Sequence, residues 1–278
     1  MGMQINTNLA ANNTYRNLAA TQNDMSKSLE KLSSGLRINR AADDAAGLAI
    51  SEGLKSQVGG LTVASRNAQD GISVIQTAEG SLNEVTSILQ RMRDLAVQGG
   101  NDSNSTQSRL AIKTEADALG KELDRITEGS QFNGTDLLKG GTMTFQIGAG
   151  ATANDKIVVN NADVATAVGT LGSATGAAGF VVTDNATAQT TITAIDTAIT
   201  AISSQRADLG AVQNRFESVI KNLAVAKENL TAAGSRIRDT DMAEEMVKYT
   251  RSSILSQAGT AMLAQANQSN QGVLQLLR

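Results

Sequence analysis

The sequence predicts a mainly α protein, with long helices packed lengthwise as a rod and a small β-containing segment. Three observations carry this. The 278 residues include no Pro, the strongest helix breaker, where an ordinary chain carries about 5%. Apolar residues recur at steps of three and four over tens of residues. One stretch, about 140–187, breaks that rhythm: it is rich in Gly, Ala and Thr and alternates apolar with polar residues.

The elements follow in chain order. Near the start, Gln22, Met25, Leu29, Leu32 and Leu36 keep heptad steps. Asp43 and Asp44 read as helix-start caps, because neighbours on a helix point about 100° apart and cannot converge as an acid/base pair. Leu61, Ala64, Ala68, Gly71, Ile75, Ala78, Leu82, Val85, Leu89, Met92 and Ala96 form one unbroken seam. At 1.5 Å per residue this helix is roughly 50 Å long, and it ends at Gly99-Gly100-Asn101-Asp102. A second run, Ile112, Ala116, Leu119, Leu123 and Ile126, stops at Gly129, and Gln131-Phe132-Asn133-Gly134 reads as a turn.

The Gly-rich stretch offers three strand candidates: Met143, Phe145 and Ile147 in alternation, then 157–159, then 180–182. A third helical run spans Ile195, Ala198, Ile202, Gln205, Leu209, Val212, Phe216, Val219, Leu223, Ala226, Leu230, Ala233 and Ile237, interrupted only by Gln205. Asp241 followed by Glu244 resembles a capping box. Beyond it, Val247, Ile254, Ala258, Ala261 and Gln265 keep heptad steps with small residues, and no acidic residue follows Met246. Helices of this kind are marginal alone and find partners in each other or in other chains.

Composition excludes much chemistry. The chain has no Cys, no His and no Trp, so disulfides, thiol nucleophiles and imidazole bases are out. Four Phe and two Tyr are its only aromatics, which points to thin cores and leaves no stacking platform for nucleic acid. A net charge of −3 adds no electrostatic case for it. No run approaches 18 apolar residues, so no span is expected. The start of the chain carries no cleavable export signal; a cytoplasmic protein and export by another route both stay open. Asp239, Asp241, Glu244 and Glu245 lack the spacing of a calcium loop and read as caps and partners of Arg236 or Arg238. Gly148-Ala149-Gly150 lacks the Lys-Ser/Thr of a phosphate loop. No cofactor is expected.

Several blocks carry a family resemblance. They are Ile5-Asn6-Thr7-Asn8, then 32–39 (LSSGLRIN), 41–50 (AADDAAGLAI), 65–73 (SRNAQDGIS) and 77–80 (TAEG), and at the other end 235–245 (SRIRDTDMAEE) and 257–267 (QAGTAMLAQAN). In these the sequence resembles bacterial flagellin, the flagellar filament subunit, over roughly its first 140 and last 90 residues. The resemblance implies a folded-back rod. Residues 1–42 and 239–278 would form an inner terminal coiled-coil domain, 43–140 and 188–238 a helical rod domain, and 141–187 a short variable β-containing cap without large outer domains. Inner-domain packing would fall to Leu18, Met25, Leu29, Leu32, Ile254, Ala258, Ala261, Leu276 and Leu277. Gly35 and Gly47 fall where the domains join, as a bend or as close packing. Tyr15 and Tyr249 would pack across the inner coil or against neighbouring chains.

The resemblance also implies function. The chain would be an extracellular structural protein, exported unfolded through the flagellar channel without a cleaved signal peptide, and polymerised with itself at the filament tip. Partners would be an export chaperone, the filament cap and the hook-junction proteins. The segment Gln90, Arg91, Arg93, Leu95 and Gln98, with Glu115 from the next helix, resembles the surface that packs between subunits and that the vertebrate Toll-like receptor 5 contacts; core packing for Leu95 and solvated charges for Arg91 and Arg93 are the plainer readings. No membrane or nucleic-acid partner is implied. A hook–filament junction protein is the nearest rival, and a secreted adhesin or receptor-binding rod comes from another class. The 41–50 and 65–73 blocks favour flagellin, and no acid/base constellation favours an enzyme.

Overall fold

The computed structural model describes residues 8–276. Helix α1 covers Leu9–Ser34, α2 Ala45–Gly99 and α3 Thr106–Gly129. Strands β1 (Gln131–Phe132) and β2 (Thr135–Asp136) follow, then β3 (Thr142–Gln146) and β4 (Lys156–Asn160). The short α4 (Val164–Val168) precedes α5 (Asn185–Arg238) and α6 (Met242–Leu276). Without Pro, α2 and α5 run unbroken for 55 and 54 residues. The chain divides into two compact units, 1–57 with 228–278 and 58–227. The sequence places its boundaries at the helix breaks near 42 and 239. The units divide instead inside α2 and α5, and residues 141–187 belong wholly to the second.

In the first unit α1 and α6 pair antiparallel. Asn8 Nδ2 donates to the Ala266 carbonyl (3.0 Å) at one end, and Ser28 Oγ to Glu245 Oε1 (2.6 Å) near the other. Gly35 ends α1 in the left-handed region (φ 72°), its N–H returning to Lys31 O at 2.8 Å. The chain then lies against the segment before α6: Leu36 bridges Asp239, Arg37 N–H donates to Arg238 O (2.6 Å) and Thr240 N–H to Gly35 O (3.1 Å). Asp43 accepts from the N–H groups of Asn39 and Arg40, and Asp44 caps α2 through Gly47 N (2.8 Å). A Cβ at Gly47 would sit 2.8 Å from Ile38 Cδ1, so Gly35 serves the bend and Gly47 the packing.

The second unit holds the main core. From Ala64 to Ala96 every seam residue of α2 is buried, facing Ile112, Ala116 and Leu123 of α3 and Ile195, Ala198, Ile202, Leu209 and Phe216 of α5. The β segment is two separate antiparallel hairpins, β1–β2 and β3–β4. The Asn133-Gly134 turn, both residues at positive φ, closes the first. The second docks on α2: Asn67 Nδ2 donates to Gln146 O (3.0 Å), Ala149 lies over Gly60, and Phe145 meets Phe216 edge-on at 5.5 Å.

One strand expectation fails. Residues 180–182 form no ladder. Phe180 and Val182 are buried and Val181 faces out, which reproduces strand alternation in sequence. The backbone finds a side chain instead of a strand: Thr191 Oγ1 accepts from Val181 N and donates to Val181 O.

The aromatic contact has no slack. A Cβ at Gly71 would lie 2.8 Å from Phe216 Cζ, whereas nothing lies within 4 Å at Gly53 on the same helix. Gly71→Val is expected to destabilise the chain by about 1–3 kcal/mol through overpacking, and Gly53→Ala to stabilise it by up to about 1 kcal/mol. Denaturant unfolding of the two variants checks both signs.

Candidate assembly surfaces

The first unit has a seam of unusual composition. On α1 the residues turned inward are Ala11, Thr14, Leu18, Thr21, Met25, Ser28 and Leu32, at steps of three and four. On α6 they are Glu245, Tyr249, Ser252, Ser256, Gly259, Leu263 and Ala266, at the same steps. Small and polar side chains dominate both rows. Glu245 and Ser28 are 5% and 6% exposed, and their hydrogen bond satisfies two groups that burial alone would penalise. Leu18 fits over Gly259, where a Cβ would lie 3.2 Å from Leu18 Cδ1.

Other large apolar residues of these helices point outward. Met242, Met246, Val247, Ile254, Leu255 and Met262 of α6 are about half exposed or more, as are Leu9, Tyr15 and Leu29 of α1. A groove of about 540 Å³ runs among Ala243, Met246, Val247, Thr250, Arg251, Ile254 and Leu255. The packing residues expected on α6 therefore need correcting. Ile254, Ala258 and Ala261 are exposed and sit on the face away from α1. Residues 247, 254 and 261 do keep a heptad row, but it starts two residues after the seam row. At about 100° per residue, that places it nearly opposite. On α1, Leu18, Met25 and Leu32 lie in the seam and Leu29 faces out. Tyr249 lies in the seam and Tyr15 is exposed. Leu276 ends α6, and Leu277 lies outside the described residues.

A second surface joins α2, α3 and α5. Arg91 donates through Nε and Nη2 to Glu115 Oε1 (2.9 and 2.6 Å), clamping α2 to α3. Arg93 pairs with Asp196 (2.7 Å), clamping α2 to α5, and that hydrogen bond raises its pKa. Gln90 and Gln98 are exposed. Leu95 is 2% exposed, so its side chain belongs to the core, because the buried stripe here is wide enough to take Met92, Leu95 and Ala96 together. Val97 of α2 and Leu110 of α3 are exposed apolar residues, as are Ile50 and Val63 of α2 and Val225 of α5.

Arg109 carries a role that its sequence context does not announce. Its guanidinium donates to the carbonyls of Gly99 (3.1 Å), Asn101 (3.3 Å) and Thr183 (2.5 Å) and to Asp102 Oδ1 (3.0 Å). It thereby satisfies the C-terminus of α2 and fixes two loops. The acids near α6 are all engaged. Asp241 caps the helix through the N–H groups of Ala243 (2.9 Å) and Glu244 (3.1 Å), Asp239 accepts from Ser235 Oγ (2.6 Å) and Glu244 pairs with Lys248 (2.9 Å). The expected pairing with Arg236 or Arg238 is replaced: Arg238 reaches Glu52 at 2.9 Å and Arg236 Nε turns to Ala232 O. Among the described residues no helix is long and apolar enough to cross a membrane.

Residues 5–142 match the bacterial flagellin N-terminal helical region, and residues 192–277 the bacterial flagellin C-terminal helical region. Flagellin of Halalkalibacterium halodurans is 53% identical over 276 residues, covering 99% of this chain and all of that protein. The chain belongs to the bacterial flagellin family. Flagellin of Bacillus subtilis is 49% identical, and the flagellar filament 33 kDa core protein of Treponema phagedenis 47%, each over 99% of this chain and the whole of the relative. The Bacillus cereus flagellin crystal structure aligns with a TM-score of 0.48 and 31% identity, over 57% of this chain and 88% of that one. This flagellin has the short form: only residues 143–191 separate the two family regions. The family is structural, and its members are subunits of the flagellar filament.

Three loop carboxylates tie this flagellin's stability to pH. Asp43 is held below its ordinary 3.8 by backbone N–H groups of Arg40 and Asn39, Asp155 by the hydroxyl and backbone of Thr152, and Asp184 by the backbone and hydroxyl of Thr187. A lowered folded pKa means that their contribution is complete above 3.8 and fades as pH falls below it. Hydrogen-exchange protection at the start of α5, taken relative to the intrinsic exchange rate at each pH, is expected to be flat from neutrality to that value and to fall below it. Asp184→Asn keeps the cap and removes the pH dependence there.

Proposed function

We propose that this flagellin polymerises with itself through the outward apolar faces of α6 and α1, after leaving the cell unfolded through the flagellar channel. The observation that carries this is the opposition of the two rows on α6. The row facing α1 is mostly small and polar, with Tyr249 and Leu263 its large members, whereas the free face holds Val247, Ile254 and Leu255. A monomer that folds around its weaker row leaves its stronger one for copies of itself. A repeating contact between unlike faces that closes no ring gives an open helical assembly. Before assembly the same apolar row suits an export chaperone, and at the distal end it meets the filament cap; at the base it follows the hook-junction proteins. Ile254→Gln with Leu255→Gln, or deletion of residues 258–278, is expected to abolish seeded filaments in electron micrographs while hydrogen-exchange protection of 64–96 persists. Normal filaments from either variant would refute the reading.

The finer reading adds Toll-like receptor 5 as a host partner at Gln90, Arg91, Arg93, Gln98 and Glu115, with Leu95 acting from beneath as support. The exposed Arg91–Glu115 pair supports it by presenting a fixed, polar, helical surface. Such an exposed pair contributes only about 0.2–1 kcal/mol to folding, so Arg91→Ala leaves the chain folded. It is expected to weaken assembly and to cut receptor-reporter signalling about tenfold. Undiminished signalling would remove the receptor from the proposal.

A further inference from the structure

Among the described residues Asn133 is the only one other than Gly with a positive φ, 49°, and Gly134 follows at 79°. Both are exposed. They form the two-residue loop of the β1–β2 hairpin, in which Phe132 pairs with Thr135 and Gln131 with Asp136. Two positive φ values in succession are what this turn needs, and Asn-Gly supplies them at the least steric cost. The same dipeptide is chemically fragile. Of all the asparagines in the chain only Asn133 precedes Gly, and a glycine nitrogen has no Cβ beside it to shield it.

We propose that Asn133-Gly134 is a conformation-gated deamidation site, closed while the hairpin is formed and open whenever it is lost. The reaction is an intramolecular substitution followed by hydrolysis. The Gly134 backbone nitrogen gives up its proton to water and bonds to Asn133 Cγ. The Cγ–Nδ2 bond breaks, and Nδ2 takes up a proton and leaves as ammonia. Water then opens the five-membered imide at either carbonyl, leaving aspartate or isoaspartate at 133. Ring closure requires Gly134 N to stand on the same side of the Cα–C bond as Cβ. In the left-handed region ψ is about +47°. With tetrahedral geometry at Cα, that turns Gly134 N nearly opposite to Cβ. The rotation that brings them together dismantles the turn.

The hairpin resists that rotation because its exit is anchored. Leu137 N–H donates to Ser130 O (3.0 Å), Leu137 and Leu138 are fully buried, and Asn161 Nδ2 donates to Asp136 O at 3.1 Å. The protection is therefore that of the local fold rather than of solvent exclusion. Aspartate at 133 fits the turn, since Asp tolerates the left-handed region. Isoaspartate adds a backbone carbon, which a two-residue loop in this register cannot absorb, so a chain modified while unfolded re-forms the hairpin poorly.

The test uses the full chain, incubated at one alkaline pH and temperature, folded in buffer and unfolded in guanidinium. Peptide mapping follows the mass increase and the isoaspartate at position 133, and Asn133→Gln removes the signal that belongs to this site. The unfolded chain is expected to convert about tenfold faster or more, the factor set by the free energy of local opening. Equal rates in the two states would overturn the gate. An absence of conversion at 133 in guanidinium would overturn the site itself.

Discussion

The pairing of α1 with α6 rests on a row of small and polar side chains, and the rest of the terminal unit depends on that choice. Burial of apolar surface stabilises roughly in proportion to area, at about 25 cal/mol per Å². A seam in which Ser, Thr, Ala and Gly separate a few large residues (Leu18, Met25, Leu32, Tyr249 and Leu263) gains less by that measure than a fully apolar one. What it does gain is close approach, shown by Leu18 over Gly259, and one satisfied buried pair, Ser28 with Glu245. Much of the hydrophobic capacity of both helices stays on their outer faces. A unit built this way is incomplete alone, and completion by like units is the simplest way to bury Met246, Val247, Ile254 and Leu255.

The second unit uses the same periodicity for the opposite end. Its buried seam residues on α2 and α5 set Ile, Leu, Val, Met and Phe among Ala, and all of them are buried within the chain. Its surface is fastened by side chains that cross between helices: Arg91 to Glu115, Arg93 to Asp196 and Arg109 to three carbonyls. The two units thus divide the work: the second folds on its own contacts, and the first is held lightly until copies meet.

Most of this was legible in the sequence where one face of a helix dominates. The seam from Ala64 to Ala96 is buried as spacing predicts, because a single apolar row leaves no choice of face. On α6 the spacing is equally regular, but the helix carries two rows, and periodicity gives a row without saying what it meets. The row of Val247, Ile254 and Ala261 is the more apolar and so the easier to read. The row through Ser252, Ser256 and Gly259 is the one α1 uses. Leu95 hides for a related reason, since a stripe wider than a two-position seam turns a flanking residue inward. Residues 180–182 mislead because alternation reports which side chains are buried and not whether a neighbouring strand exists.

The missing Pro joins these points. A Pro within α2 or α5 would break a helix that carries one seam through 55 or 54 residues. Its absence, and that of Cys, also removes two slow steps of folding, prolyl isomerisation and disulfide exchange. A chain that folds after export, as proposed above, gains from both. The turns that Pro would otherwise make are then left to Gly, Asn and Asp. Gly35 bends the chain after α1, Asp43 and Asp184 fasten loops by accepting backbone hydrogen bonds, and Asn133-Gly134 closes a hairpin. Each is a local, rapid device, and the Asp and Asn devices are more exposed to acid or to slow chemistry than a Pro would be. The composition therefore exchanges slow folding for loops whose stability depends on hydrogen bonds at a few named carboxylates and amides.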